Sequence, residues 1–138
     1  MIIDCHHHLN GGFDWRPDEF NQGFARAIMT NLKRLTGQDF NLDFVRDHIQ
    51  PSFIDTNGDK VVERMDGAGV DKTIIFDVDY DFGMGEPKVS FFERHEFYTA
   101  ALEKHPGRLY GLFAIDPRRP QAVELTEKAI KHQGMIGV

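Results

Sequence analysis

The sequence predicts an α/β fold in which parallel strands are joined by crossover helices. Short apolar or β-branched runs alternate with longer stretches of helical periodicity, glycine or proline stands at the ends of most helical stretches, and no hairpin signal joins two strands.

Taken in order, "IIDCHHH" reads as a first strand over residues 2–8: a β-branched start, a polar end, then the breaker pair Gly11 and Gly12. From Pro17, the residues Phe20, Phe24, Ala27, Ile28, Leu32 and Leu35 recur at helical spacing, with proline suited to a first turn and Gly37 to a stop. Phe40, Phe44, Val45 and Ile49 predict a shorter helix that ends before Pro51. In "DTNGDKVVERMDGAGVDKTIIFDVD" turn residues lead into a helix that Gly69 ends, and "KTIIFDV" supplies a second strand. "YDFGMGEPK" is Gly-rich and polar and is assigned to a loop. "VSFFERHEFYTAALEKHPG" carries a helical pattern up to Pro106, and "RLYGLFAID" is strand-like. A last helix starts near Pro120 and stops at Gly134, after which "MIGV" begins another strand. The order is therefore βαα-αβ-αβ-αβ, without repeats, low-complexity tracts or a linker.

A chain of 138 residues has room for one domain. Its formal charge of −6 gives no basic footprint for nucleic acid or an anionic membrane, so a small-molecule partner is expected. Cys5 is the only cysteine, which excludes an intrachain disulfide and makes a reducing cytoplasm the expected location. No stretch has the length of a secretory apolar region or a membrane helix.

The triple histidine carries the most chemistry. In an extended strand residues two apart share a face, roughly 6.5–7 Å apart. His6 and His8 are thus expected to converge on one side and reach a single divalent ion, His7 to point away, and Asp4 to lie one step deeper on the ligand face as an orienting carboxylate. In parallel α/β proteins catalytic groups gather at the carboxyl ends of strands, where this pair sits. The alternative is a solvated, imidazole-rich strand end.

"IIDCHHHL" resembles the Asp-x-His-x-His opening of the amidohydrolase superfamily of metal-dependent TIM barrels. "VVERMDGAGVDKTIIF", "HPGRLYGLFAIDPRRPQAVELTEKAI" and the closing "GMIGV" are similar, in order and spacing, to the branch related to aminocarboxymuconate-semialdehyde decarboxylase, which includes aromatic-acid decarboxylases and lactone or C–C bond hydrolases. The resemblance implies the N-terminal half of a (β/α)8 barrel, with residues 13–55 as a helical insertion or cap after the first strand. It implies metal binding by His6 and His8, with zinc the expected ion, and leaves His7 without a role. The family's later ligands and its acid or base have no counterpart in this sequence. Such a barrel needs about 250 residues, so the chain is expected to be part of a longer enzyme, a homo-oligomer performing metal-assisted hydrolysis or decarboxylation on a small carboxylated or cyclic substrate. The rivals are a metal-dependent phosphoesterase or nuclease barrel, which the acidic balance disfavours, and a non-catalytic α/β binding module.

Phe13 and Trp15 follow the histidines closely and are candidates to line a substrate pocket, with core packing the alternative. Asp77, Asp79 and Asp81 follow the second strand; Asp77 is carried as a lining candidate against a solvated acidic loop. Asp116, in "AIDPRRP", is a weaker candidate because Asp-Pro commonly makes a turn, and Arg118 and Arg119 are assigned to a solvated helix start. "DTNGDKVVERMD" lacks the glycine and final glutamate of a calcium loop, with Lys60 and Asp66 in their places. His48, His95, His105 and His132 are placed on helix surfaces or ends, and Cys5 is expected to be buried against a helix.

Overall fold

The computed structural model describes residues 1–138, an α/β protein built on one four-stranded parallel sheet. The strands are β1 (Ile3–His7), β2 (Lys72–Phe76), β3 (Leu109–Leu112) and β4 (Met135–Gly137), and they lie side by side in chain order. The main helices are α1 (Asp18–Thr36), α2 (Leu42–Phe44), α3 (Asp59–Ala68), α4 (Asp81–Met84), α5 (Phe91–Lys104) and α6 (Ala122–His132). No helix is long and apolar enough to cross a membrane.

One face of the sheet forms the core. Thr73 and Ile75 alternate inward along β2, Leu109 does so on β3 and Met135 on β4, and they meet Val61 and Met65 of α3, Phe91, Tyr98 and Ala101 of α5, and Ala129 of α6. Each large side chain buried in this way contributes roughly 1.5–3 kcal/mol. Ile3, Ile74, Phe76, Leu112 and Ile136 point to the opposite face and remain half-buried or exposed.

Local chemistry sets the helix ends. α1 has Asp18 and Glu19 in its first turn and Lys33 and Arg34 in its last, matching the helix dipole, and Gly37 closes it in the left-handed conformation. At α5, Ser90 and Glu93 form a reciprocal capping box. The stripe of Phe91, Arg94, His95, Tyr98 and Ala101 turns one side of that helix to the core. At α3 the cap comes from farther away: the buried Asp55 carboxylate accepts from the amides of Gly58 at 2.9 Å and Val61 at 2.9 Å. Gly58 itself has φ 80°, and a β-carbon there would meet Leu109 Cδ1 at 2.6 Å.

Asp55 also pairs with Asn10 in an isolated antiparallel bridge, each amide donating to the other's carbonyl at 2.8–2.9 Å. The excursion that holds α1 and α2 therefore leaves and returns at one point beside the end of β1.

Several expectations need correction. The helix foreseen over Phe40–Ile49 is a composite: the single turn α2, a π turn at Val45–Ile49 and a 3-10 turn at Gln50–Phe53 that includes Pro51. Pro51 is tolerated because it stands in the first turn of that last piece, where no amide is needed. The Gly-rich segment after Asp79 contains the short helix α4. Cys5 is exposed rather than buried against a helix. His95 is 5% exposed, at the centre of α5's inner face, between the rings of Phe91 and Phe113.

Candidate functional site

His6 and His8 sit at the carboxyl end of β1, and their Nε2 atoms approach to 3.1 Å with the rings perpendicular. Both rings rest edge-on against Phe76 at the end of β2. The His8 Nδ1–H donates to the Phe76 carbonyl at 2.7 Å. Since a carbonyl only accepts, Nδ1 carries the proton of a neutral ring and Nε2 keeps its lone pair. Burial lowers the His8 pKa below its ordinary value, opposed by the Phe76 hydrogen bond and assisted by His6 and Arg16.

Two nitrogens each roughly 2.0–2.1 Å from a tetrahedral ion stand about 3.3 Å apart, so the observed spacing fits a pair of zinc ligands. The Phe76 carbonyl supplies the backbone support that metal-bound histidines ordinarily have. No group of three or more His, Cys, Asp or Glu side chains is arranged so that it could hold a metal ion. The pair therefore offers two protein ligands where a catalytic zinc takes three.

Asp4 does not join the pair's face, which corrects the alternation expected for a regular strand. Asp4 pairs with Thr73 and His7 with Ile75, so β1 advances three residues while β2 advances two. This bulge puts Asp4 and His7 together, with His7 Nδ1 3.8 Å from Asp4 Oδ2, in a cleft beside Arg64 and Met65 of α3. Asp4 still reaches His6, but through the backbone: its carboxylate accepts from the His6 amide at 3.1 Å. His7 points away from the pair, as expected, and burial lowers its pKa against the opposing charge of Asp4.

Next to His8 opens a cleft of about 300 Å³. Trp15, Phe20, Phe24 and Tyr80 supply most of its apolar wall, and Arg16 and Asp77 its charged groups. Trp15 borders the cleft and is at the same time part of the buried core, 6% exposed, with its indole packed so closely on Gly11 that a β-carbon there would fall 2.0 Å from Nε1. Phe13 does not line this cleft; it faces a separate crevice with Ile28, Val45 and Phe53.

Asp77 lines the cleft but is 7% exposed, and its carboxylate accepts from Arg94 Nε at 2.8 Å. Arg94 is fully buried and also donates to the carbonyls of Val78 and Val89. Burial raises the Asp77 pKa, and the charge and hydrogen bond of Arg94 oppose it. Asp116 lies outside the cleft and is held by Arg118 in a turn; the Arg118 hydrogen bonds pull its pKa down to about 2.

Asp79 and Arg119 belong to neither a solvated loop nor a solvated helix start. Arg119 grips Asp79 with two hydrogen bonds of 2.6 and 2.8 Å and reaches Glu86 at 2.7 Å, while Asp79 also accepts from the Asp116 amide. This network fastens the loop after β2 to the loop after β3. Burial pushes the Asp79 carboxyl up, but the bonds from Arg119 and Asp116 outweigh it and its pKa is lowered. Asp81 is a weaker partner, 3.5 Å from Arg119. His48 and His132 are exposed, and His105 sits at the end of α5 against Asp59, as foreseen.

Sequence reasoning passed over Arg16, Phe20, Phe24, Tyr80 and Tyr98. The Tyr98 hydroxyl accepts from the Leu9 amide and donates to the Phe76 carbonyl, both at 2.9 Å, and so ties the ends of β1 and β2. Its helical spacing from Phe91 signals burial, but nothing in the pattern marks the bridge. Comparison with family models, curated proteins and solved structures found no match.

Proposed function

We propose that the chain forms the N-terminal half of an amidohydrolase-type (β/α)8 barrel. In it, His6 and His8 hold a divalent ion, zinc, for metal-assisted hydrolysis or decarboxylation of a small carboxylated or cyclic organic substrate. The strand order supports the architecture: doubly wound sheets reverse direction at a switch point, whereas β1 to β4 advance one way, as barrel strands do. The half-covered face carrying Ile74, Phe76 and Leu112 then corresponds to the barrel interior, and further strands would cover it. The observation that carries the metal assignment is the 3.1 Å approach of two Nε2 atoms at a strand's carboxyl end, with His8 oriented by a carbonyl.

When bound, the ion supplies Lewis-acid polarisation of an oxygen and lowers the barrier to hydrolysis or loss of a carboxyl group. His6 and His8 present lone pairs, Phe76 fixes the tautomer, and the aromatic walls of the neighbouring cleft exclude water from a substrate beside them. The third ligand and the proton-transfer group come from further strands of the complete enzyme, a homo-oligomer on this reading.

Zinc titration by calorimetry tests the metal assignment. The chain should bind one equivalent, and His6→Ala or His8→Ala should abolish it. Activity of the complete enzyme on aryl esters, lactones and aromatic acids should vanish with chelation and return with zinc. Turnover of phosphodiesters instead would transfer the site to the phosphoesterase class, and a cooperatively folded monomer indifferent to zinc would overturn the proposal.

A further inference from the structure

β1 ends at His7, so His8 is the first residue past the strand. Its ring and the Leu9 amide that follows it take their hydrogen bonds from outside the strand ladder, and both lead to Tyr98 in the middle of α5. The Tyr98 hydroxyl accepts from the Leu9 amide at 2.9 Å and donates to the Phe76 carbonyl at 2.9 Å, the same oxygen that takes the His8 Nδ1 proton at 2.7 Å. Leu9 is 4% exposed and Tyr98 1%, so solvent does not compete for these bonds. Burial also raises the Tyr98 pKa well above its ordinary value, which keeps the proton that the hydroxyl donates.

Hydrogen bonds linked in this way polarise one another, and each fixes the direction of the next. Without the hydroxyl, the Leu9 amide is buried and unpaired, and the peptide joining it to His8 turns to find another acceptor. The His8 ring moves with that peptide, and Nδ1 leaves Phe76. The neutral imidazole can then place its proton on Nε2, the atom that has to present a lone pair. We propose that Tyr98 is a positioning residue for the histidine pair: one hydroxyl fixes both the backbone after His8 and the carbonyl that holds its ring, and so keeps the Nε2 lone pair turned toward His6. This rests on the metal-site proposal for its meaning, but control of the His8 tautomer requires no ion. The rest of Tyr98 only packs, its ring centre 6.3 Å from that of Trp15 and 6.5 Å from that of His95, and phenylalanine retains those contacts.

Imidazole nitrogen NMR of the metal-free native chain at about pH 8, above the ordinary histidine range, should show His8 as one tautomer with its proton on Nδ1. Tyr98→Phe should give a mixture of tautomers and bind zinc about tenfold more weakly by calorimetry. Ala101→Gly, at a fully buried position one turn along the same helix, should lower the unfolding midpoint yet keep the native tautomer and zinc affinity. That control separates positioning from loss of stability, and circular dichroism confirms each fold. If Tyr98→Phe does not fold, fluorotyrosine introduced at position 98 keeps both bonds and decides the matter: its more acidic hydroxyl should shift the His8 Nδ1 resonance, and an unmoved resonance overturns the proposal. A native His8 with its proton on Nε2 overturns it as well, as does a folded Tyr98→Phe chain with native tautomer and native zinc affinity. Zinc binding absent from the native chain, with the tautomer still responding to Tyr98→Phe, removes the metal assignment and leaves Tyr98 in its role toward His8.

Discussion

The imidazole of His8 and the backbone carbonyl of Phe76 meet at 2.7 Å across 68 positions of sequence, and the same oxygen receives the Tyr98 hydroxyl at 2.9 Å. One carbonyl thus orients a candidate ligand and is itself held by a buried phenol, which also satisfies the amide of Leu9. Tyr98→Phe leaves that amide buried without a partner and should cost about 1–3 kcal/mol in urea unfolding. A loss within a few tenths of a kcal/mol would show that the bridge is dispensable.

Arg94 and Asp77 form a buried ion pair, and breaking one side strands the other. Arg94→Met should destabilise the chain by about 3–5 kcal/mol, because Asp77 and the carbonyls of Val78 and Val89 all lose their donor. The double variant with Asp77→Asn should recover part of that loss, and a double-mutant cycle measures how much.

His95 makes the chain sensitive to acid. Burial, with the nearby Arg94 charge adding to it, lowers its pKa to about 4, and neither ring nitrogen has a partner. The unfolded chain takes up this proton near the ordinary value of 6.5, the folded chain only near 4, so the contribution is intact above about pH 6.5 and is lost as pH falls toward 4. It amounts to at most roughly 3 kcal/mol. His95→Phe should flatten stability across that window relative to the native chain; an unchanged slope would assign the acid sensitivity elsewhere.

Asp55 caps α3 from outside the helix. Asp55→Ala should cost about 1–2 kcal/mol by leaving the amides of Gly58 and Val61 unsatisfied, read as a lower unfolding midpoint. Asp55→Asn, which retains one acceptor oxygen, should lose less.

Much of the scaffold was legible in the sequence because periodicity and punctuation are local signals. Gly37 and Gly69 close their helices, and the four strands stand where β-branched and apolar runs predict them. The convergence of His6 and His8 was legible too, since residues two apart near a strand's end share a side. What escaped depended on partners distant in the chain. Nothing around His95 announces that α5 turns that residue inward, and Arg119 looks solvated until the loop bearing Asp79 is folded against it. Phe13 and Trp15, two residues apart in one short turn, diverge into different crevices, and only the packing of Trp15 on Gly11 decides which of them reaches the cleft.

The extra residue in β1 reaches beyond the displacement of Asp4. Were the first two strands matched step for step from Asp4 onward, His6 would stand beside Ile75 and both imidazoles would be aimed beneath the helices, into the greasy interior. The slip rotates them outward, onto the side where Phe76 lies. Whatever chemistry the triplet performs is thus set by a count of residues as much as by their identity: deleting Cys5 would take out the extra residue, keep His7 beside Ile75 and leave His6 and His8 on the side of Phe76.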